Sequence, residues 1–63
     1  MNYGENLARY RKRAGMTQEQ LAEAINVSRA LIAQCERGTK SITLQVGKLI
    51  ADTLGITVDD LCR

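Results

Sequence analysis

The sequence predicts an all-α fold: a compact bundle of five short helices in one domain spanning residues 1–63. Three observations point there. Proline is absent and β-branched runs are missing, which removes the usual helix breaker and the usual strand signal. Apolar residues recur at a 3.6-residue period. Each periodic segment opens on Asn, Ser or Thr, and the first four close on Gly or Asn, the punctuation of helix caps. A chain of 63 residues buries only about 60% of its unfolded surface. That leaves little room for a core, a catalytic cleft and a ligand pocket together.

Helix 1 is expected from about Tyr3 to Ala14. Asn2 caps it, Glu5 answers as the capping-box partner, and Tyr3, Leu7, Tyr10 and Ala14 share one face. Gly15 stops it, and Met16 bridges inward. Helix 2 covers about 18–25, opened by the Thr17-x-x-Gln20 capping box with Glu19 at the positive end of the dipole. Leu21, Ala22 and Ile25 form its inner stripe. Asn26 suits a left-handed turn, Val27 points to the core, and Ser28 caps helix 3. Helix 3 covers 29–37, with Ile32 and Cys35 inside and Arg29, Ala30, Ala33, Gln34 and Arg37 opposite. Gly38 closes it. Helix 4, about 44–54 after Thr43, directs Leu44, Ile50, Ala51 and Leu54 inward. Gly47 within it marks close packing or a weak point. Gly55 ends it. Thr57 caps a last helix over about 58–62, with Asp59 and Asp60 in its first turn and Val58 and Leu61 as core contacts.

Composition narrows the function classes. No run of about 18 apolar residues reads as a membrane span, and the N-terminus lacks the basic-then-apolar order of a signal peptide. Cys35 and Cys62 are far apart and histidine is absent, so a four-ligand zinc site is not expected. Reduced thiols and a cytoplasmic location are. Cys35 reads as a small core residue. Without His, a Gly-rich phosphate loop or a paired acidic cluster, the chain is read as no enzyme and as needing no cofactor. The net charge of +2 says little, but its distribution says more. Arg9, Arg11, Lys12 and Arg13 face only Glu5 within residues 1–17, and the rest of the chain is slightly acidic. Such a patch serves phosphates or is a solvated helix face.

The segment from Thr17 to Gly38 carries the functional reading. Two helices joined by about three residues cross steeply rather than lying antiparallel. Ala22 permits a close crossing, and Asn26 tolerates the turn. Leu21, Ile25, Val27, Ile32 and Cys35 clamp the pair to the domain. Nothing bulky on the outer face of helix 3 demands burial, so that helix is free to enter a major groove. On that face Arg29 fits guanine O6 and N7 or a phosphate, and Gln34 fits adenine N6 and N7 or water. Ala30 and Ala33 touch a thymine methyl or merely clear space. Gln18, at the start of helix 2, suits a phosphate. Ser28 is a cap first and a phosphate donor second.

These residues resemble the phage repressor–Cro helix-turn-helix family, also called Xre-like. The resemblance rests on Arg11-Lys-Arg-Ala-Gly-Met-Thr-Gln-Glu-Gln-Leu-Ala, Val27-Ser-Arg, Ile32, Glu36-Arg-Gly38 and Ile50-Ala-Asp-Thr-Leu-Gly-Ile56, nearly the whole chain. The chain departs from the pattern at Asn26, where Gly is frequent, at Ile42, where Pro is frequent, and at Gly47, usually apolar. The resemblance implies a five-helix domain with helix 3 as the recognition helix. It implies a homodimer on double-stranded DNA with two half-sites about one turn apart. It assigns Thr39, Lys40 and Ser41, with Arg37, to a second phosphate clamp, and pairs Glu36 with Arg11 to tie helix 3 to helix 1. Apolar Leu44, Val46, Leu49, Ile56 and Val58 exceed the needs of a small core and offer a dimer face. The alternative is a protein-interaction module of the same fold, antitoxin-like or adaptor, with Ile42 to Arg63 meeting a protein partner. No site for a small-molecule effector is evident.

Overall fold

A computed structural model describes residues 3–63; the expected cap at Asn2 lies outside them. Five α-helices follow in order: α1 (Tyr3–Arg13), α2 (Gln18–Ile25), α3 (Arg29–Arg37), α4 (Leu44–Leu54) and α5 (Val58–Cys62). The fold is all-α, and its caps are local chemistry. Thr17 Oγ1 accepts from the Gln20 N–H at 3.0 Å while Gln20 Oε1 accepts from the Thr17 N–H at 2.8 Å. Thr57 and Asp60 repeat the reciprocal pair at the start of α5, both bonds at 3.0 Å. Ser28 and Thr43 each accept one N–H of the turn they open. Each such cap contributes about 1 kcal/mol.

The α2–α3 turn is set by Asn26. It lies at φ 61°, ψ 46°, and among the described residues no other non-glycine has positive φ. The Val27 N–H then returns to the Ala22 carbonyl at 2.9 Å, closing α2 in the manner of a Schellman end. Asn supplies the left-handed backbone that Gly more often provides.

Leu7, Leu21, Ala22, Ile25, Ile32, Cys35, Ile50 and Leu61 form the central cluster, with Met16, Val27, Leu31, Ile42, Val46, Leu54 and Ile56 packed around it. The helices pack as α1 on α3 and α5, α2 on α3 and α4, and α4 on α5. α3 therefore lies across α1 and α2, with its remaining side outward.

Two expectations are corrected. The buried face of α1 is Gly4, Asn6, Leu7 and Arg11, rotated from the expected stripe: Tyr3 is 44% exposed, and Ala14 is exposed in the turn after Arg13. The rotation follows from Gly4. A Cβ there would collide with the backbone carbonyls of Cys35 and Glu36, lying 2.7 Å from the first, so α1 and α3 touch backbone to backbone. Leu44 was expected inside but is 77% exposed. It is the first residue after the Thr43 cap, and Gly47, Ile50 and Ala51 turn inward instead. Asn6 is an unexpected buried polar residue. Its Nδ2 donates to the Leu61 carbonyl at 2.8 Å, and its Oδ1 accepts from Arg9 Nη2 at 2.6 Å. The last helix is thus latched to the first.

Candidate nucleic-acid interface

The outer side of α3 is built by exclusion. Ile32 and Cys35, fully or almost fully buried, take the inward side. Arg29, Ala30 and Arg37 are exposed, while Ala33 and Gln34 are half-buried. The outward side of α3 is thereby most open at its two ends, at Arg29 and Ala30 in the first turn and Arg37 in the last. Burial also pushes the Cys35 thiol above its ordinary value of 9.0, against the opposing pull of the Lys40 charge, so it stays a neutral apolar filler.

Flanking α3, Ser28 Oγ accepts from the Leu31 N–H at 3.1 Å, and its own hydroxyl proton remains to donate. Lys40 and Ser41 are exposed in the loop after α3. Thr39 is exposed there too, and its N–H and its hydroxyl both donate to the Gln34 carbonyl, at 3.0 and 3.2 Å. In this arrangement it closes α3.

Behind this surface three helices meet at one carboxylate. Arg11 Nε donates to Glu36 Oε2 at 2.6 Å, and Nη2 donates to Oε1 at 3.1 Å. The third arm, Nη1, donates to the Met16 carbonyl at 2.8 Å. Gln18 Nε2 donates to Glu36 Oε1 at 3.0 Å. The Arg11 and Glu36 side chains are only 10% and 9% exposed. Burial pushes the Glu36 carboxyl up, but the hydrogen bonds from Arg11 and Gln18 and the Arg11 and Lys12 charges outweigh it. The group is held below its ordinary 4.5.

The basic patch at the start of the chain is therefore divided. Arg11 is internal. Arg9 and Arg13 lie over the Tyr10 ring, 5.5 and 5.6 Å from its centre. A shallow open depression of about 280 Å³ is lined by Tyr10, Arg13, Ala14, Leu54 and Ile56, none of them from α2 or α3.

Local patterning foresaw the caps at Thr17, Ser28, Thr43 and Thr57, and the family resemblance foresaw the Arg11–Glu36 pairing. Both missed Gly4, Asn6 and the bond from Gln18 to Glu36. Gly and Asn carry no hydrophobic signal, and the last contact links residues 18 apart in sequence.

The comparisons agree with this geometry. A profile described as helix-turn-helix matches residues 7–61. The chain belongs to the Xre-like helix-turn-helix family. It is 36% identical over 61 residues to the transcriptional activator BcrR of Enterococcus faecalis and 38% identical over 58 residues to the immunity repressor of Bacillus phage phi105. These alignments take in 97% and 92% of this chain but 30% and 40% of the relatives, so the chain spans less than half the length of either. Among solved structures it is similar to the restriction-modification controller protein C.AhdI of Aeromonas hydrophila. There the TM-score is 0.90 and the identity 28%, over 95% of this chain and 91% of that one. In this helix-turn-helix chain, α2 and α3 are the paired helices.

Proposed function

We propose that residues 1–63 act as one DNA-binding domain, a homodimeric transcriptional regulator that recognises a two-fold symmetric operator in double-stranded DNA and represses by occupying it. The observation that carries this reading is the outward first turn of α3, where Arg29 and Ala30 are exposed. Arg29 reads guanine, Gln34 supplements it from its half-buried place, and Ala30 and Ala33 admit the groove and meet thymine methyls. Gln18, Ser28, Arg37, Thr39, Lys40 and Ser41 hold the flanking phosphates. With two alanines in the face, DNA shape supplies part of the choice. Repression is supported by the likeness to a phage immunity repressor. Leu44 and Leu49, 77% and 47% exposed, support an apolar contact between copies. A cytoplasmic location goes with this reading, and among the described residues no helix is long and apolar enough to cross a membrane.

Arg29→Ala is expected to weaken binding to the preferred site by about 1–3 kcal/mol and to leave arbitrary DNA nearly unaffected. Lys40→Ala should weaken both alike and reduce the salt dependence by about one released counterion. Fluorescence titrations across a salt series separate the two. Equal losses on both DNAs from Arg29→Ala would remove it from base readout. A partner protein captured without salt-dependent DNA binding would favour an interaction module instead.

A further inference from the structure

We propose that Glu36 is a positioning residue for DNA: it holds the Gln18 amide at the start of α2 in the orientation that meets a phosphate, while Arg11 cancels the charge that would otherwise repel it. The proposal rests on the DNA-binding reading above and assigns to the acid a role that a helix-to-helix tie alone does not contain.

The geometry carries it. Gln18 is the first residue of α2 and Glu36 the penultimate residue of α3, so their bond joins the two helix ends that flank the reading face. A glutamine amide has two N–H donors. One goes to Glu36 Oε1 at 3.0 Å, which fixes the amide plane and leaves the other to donate. The first N–H groups of a helix have no acceptor within it and favour an anion. Thr17 Oγ1 takes the Gln20 N–H at 3.0 Å, so the oriented amide stands beside the Gln18 and Glu19 N–H groups at the helix start. A free glutamine would lose its rotamer freedom on binding DNA, whereas one already held loses little. An isolated carboxylate here would oppose a phosphate. The two-pronged bond from Arg11, at 2.6 and 3.1 Å, neutralises Glu36, and Arg11 is itself held by the Met16 carbonyl. The result is a rigid holder with no net charge.

A charge-neutral exchange tests this. Replacing both partners, Arg11→Met with Glu36→Leu, removes the holder without leaving a buried charge unpaired, a change that folded domains tolerate. Binding of the full chain to a fluorescent duplex of arbitrary sequence is measured at one salt concentration. Gln18→Ala should lose about tenfold, the value of one hydrogen bond to a charged group. The paired exchange should lose about the same, and Gln18→Ala added to it should cost less than about twofold more. Losses that multiply, or a paired exchange that binds like the wild type, overturn the proposal. Absence of wild-type binding to any duplex overturns the underlying DNA reading instead, and this proposal with it. A readout without DNA accompanies the titration. One Gln18 side-chain amide proton should be shifted and slow to exchange in the wild-type NMR spectrum and should move to the position of a solvated glutamine in the paired variant. An unshifted, fast-exchanging amide in the wild type counts against the holder directly.

Discussion

Glu36→Ala is expected to lower the free energy of unfolding by about 3–5 kcal/mol, because it leaves the Arg11 guanidinium buried without its counter-charge. A domain of this size has roughly 3–9 kcal/mol in total, so the variant should melt far below the wild type or fail to fold at 37 °C. The same carboxylate makes stability depend on pH. Its folded pKa lies below the ordinary 4.5, so its contribution is fully present above that value. It is lost as the pH falls through the folded pKa and the carboxylate protonates. Urea titrations from pH 7 down to pH 3 should show this acid loss in the wild type and a weaker one in the Arg11→Met, Glu36→Leu pair. Near-wild-type stability in Glu36→Ala would mean that the ion pair contributes nothing.

The second large effect is at Gly4. Alanine normally gains about 1 kcal/mol over glycine inside a helix. At Gly4 the sign reverses: the added Cβ meets the Cys35 and Glu36 carbonyls, and backbone cannot step aside by changing rotamer. Overpacking of this kind costs about 1–3 kcal/mol, and a backbone obstacle belongs at the upper end. Gly4→Ala should therefore lose about 2 kcal/mol net, roughly 8–16 °C in melting temperature for a small domain. Gly47 is the internal contrast. A Cβ there meets only Ile42 Cγ2, at 3.4 Å, an ordinary contact with a movable side chain. Gly47→Ala should raise stability by about 0.5–1 kcal/mol. Thermal melts of the two variants side by side check both signs; equal shifts would mean that α1 and α3 are not in backbone contact.

These two sites also show which features a sequence makes legible. Cap chemistry is short-range: Thr17 with Gln20, Ser28 with the next turn and Asn26 at positive φ all act within a few residues, and each is readable from residue type and spacing. The inner faces of α2 and α3 are readable because Leu21, Ile25, Ile32 and Cys35 are apolar at helical spacing. The face of α1 is not, since two of its buried positions are Gly4 and Asn6, and hydrophobic periodicity passes over both. Tyr3 and Ala14 were placed inward for the same reason. Leu44 misleads because an apolar residue in the first turn after a cap need not face the core. The residues of the proposed interface are read from their types on a helix. The carboxylate that binds α1, α2 and α3 together is only half legible: the family pattern pairs Glu36 with Arg11, but the reach of Gln18 to the same oxygen depends on how the helices cross.

The central claim is that α3 reads duplex DNA from its first turn within a symmetric pair of chains. Selection of binding sites from random double-stranded DNA tests it most directly. The account predicts a short two-fold symmetric consensus whose half-sites lie about one helical turn apart or a multiple of it, with a preferred base pair that loses its preference in Arg29→Ala. Recovery of no enriched sequence, or of one that Arg29→Ala leaves unchanged, would contradict it.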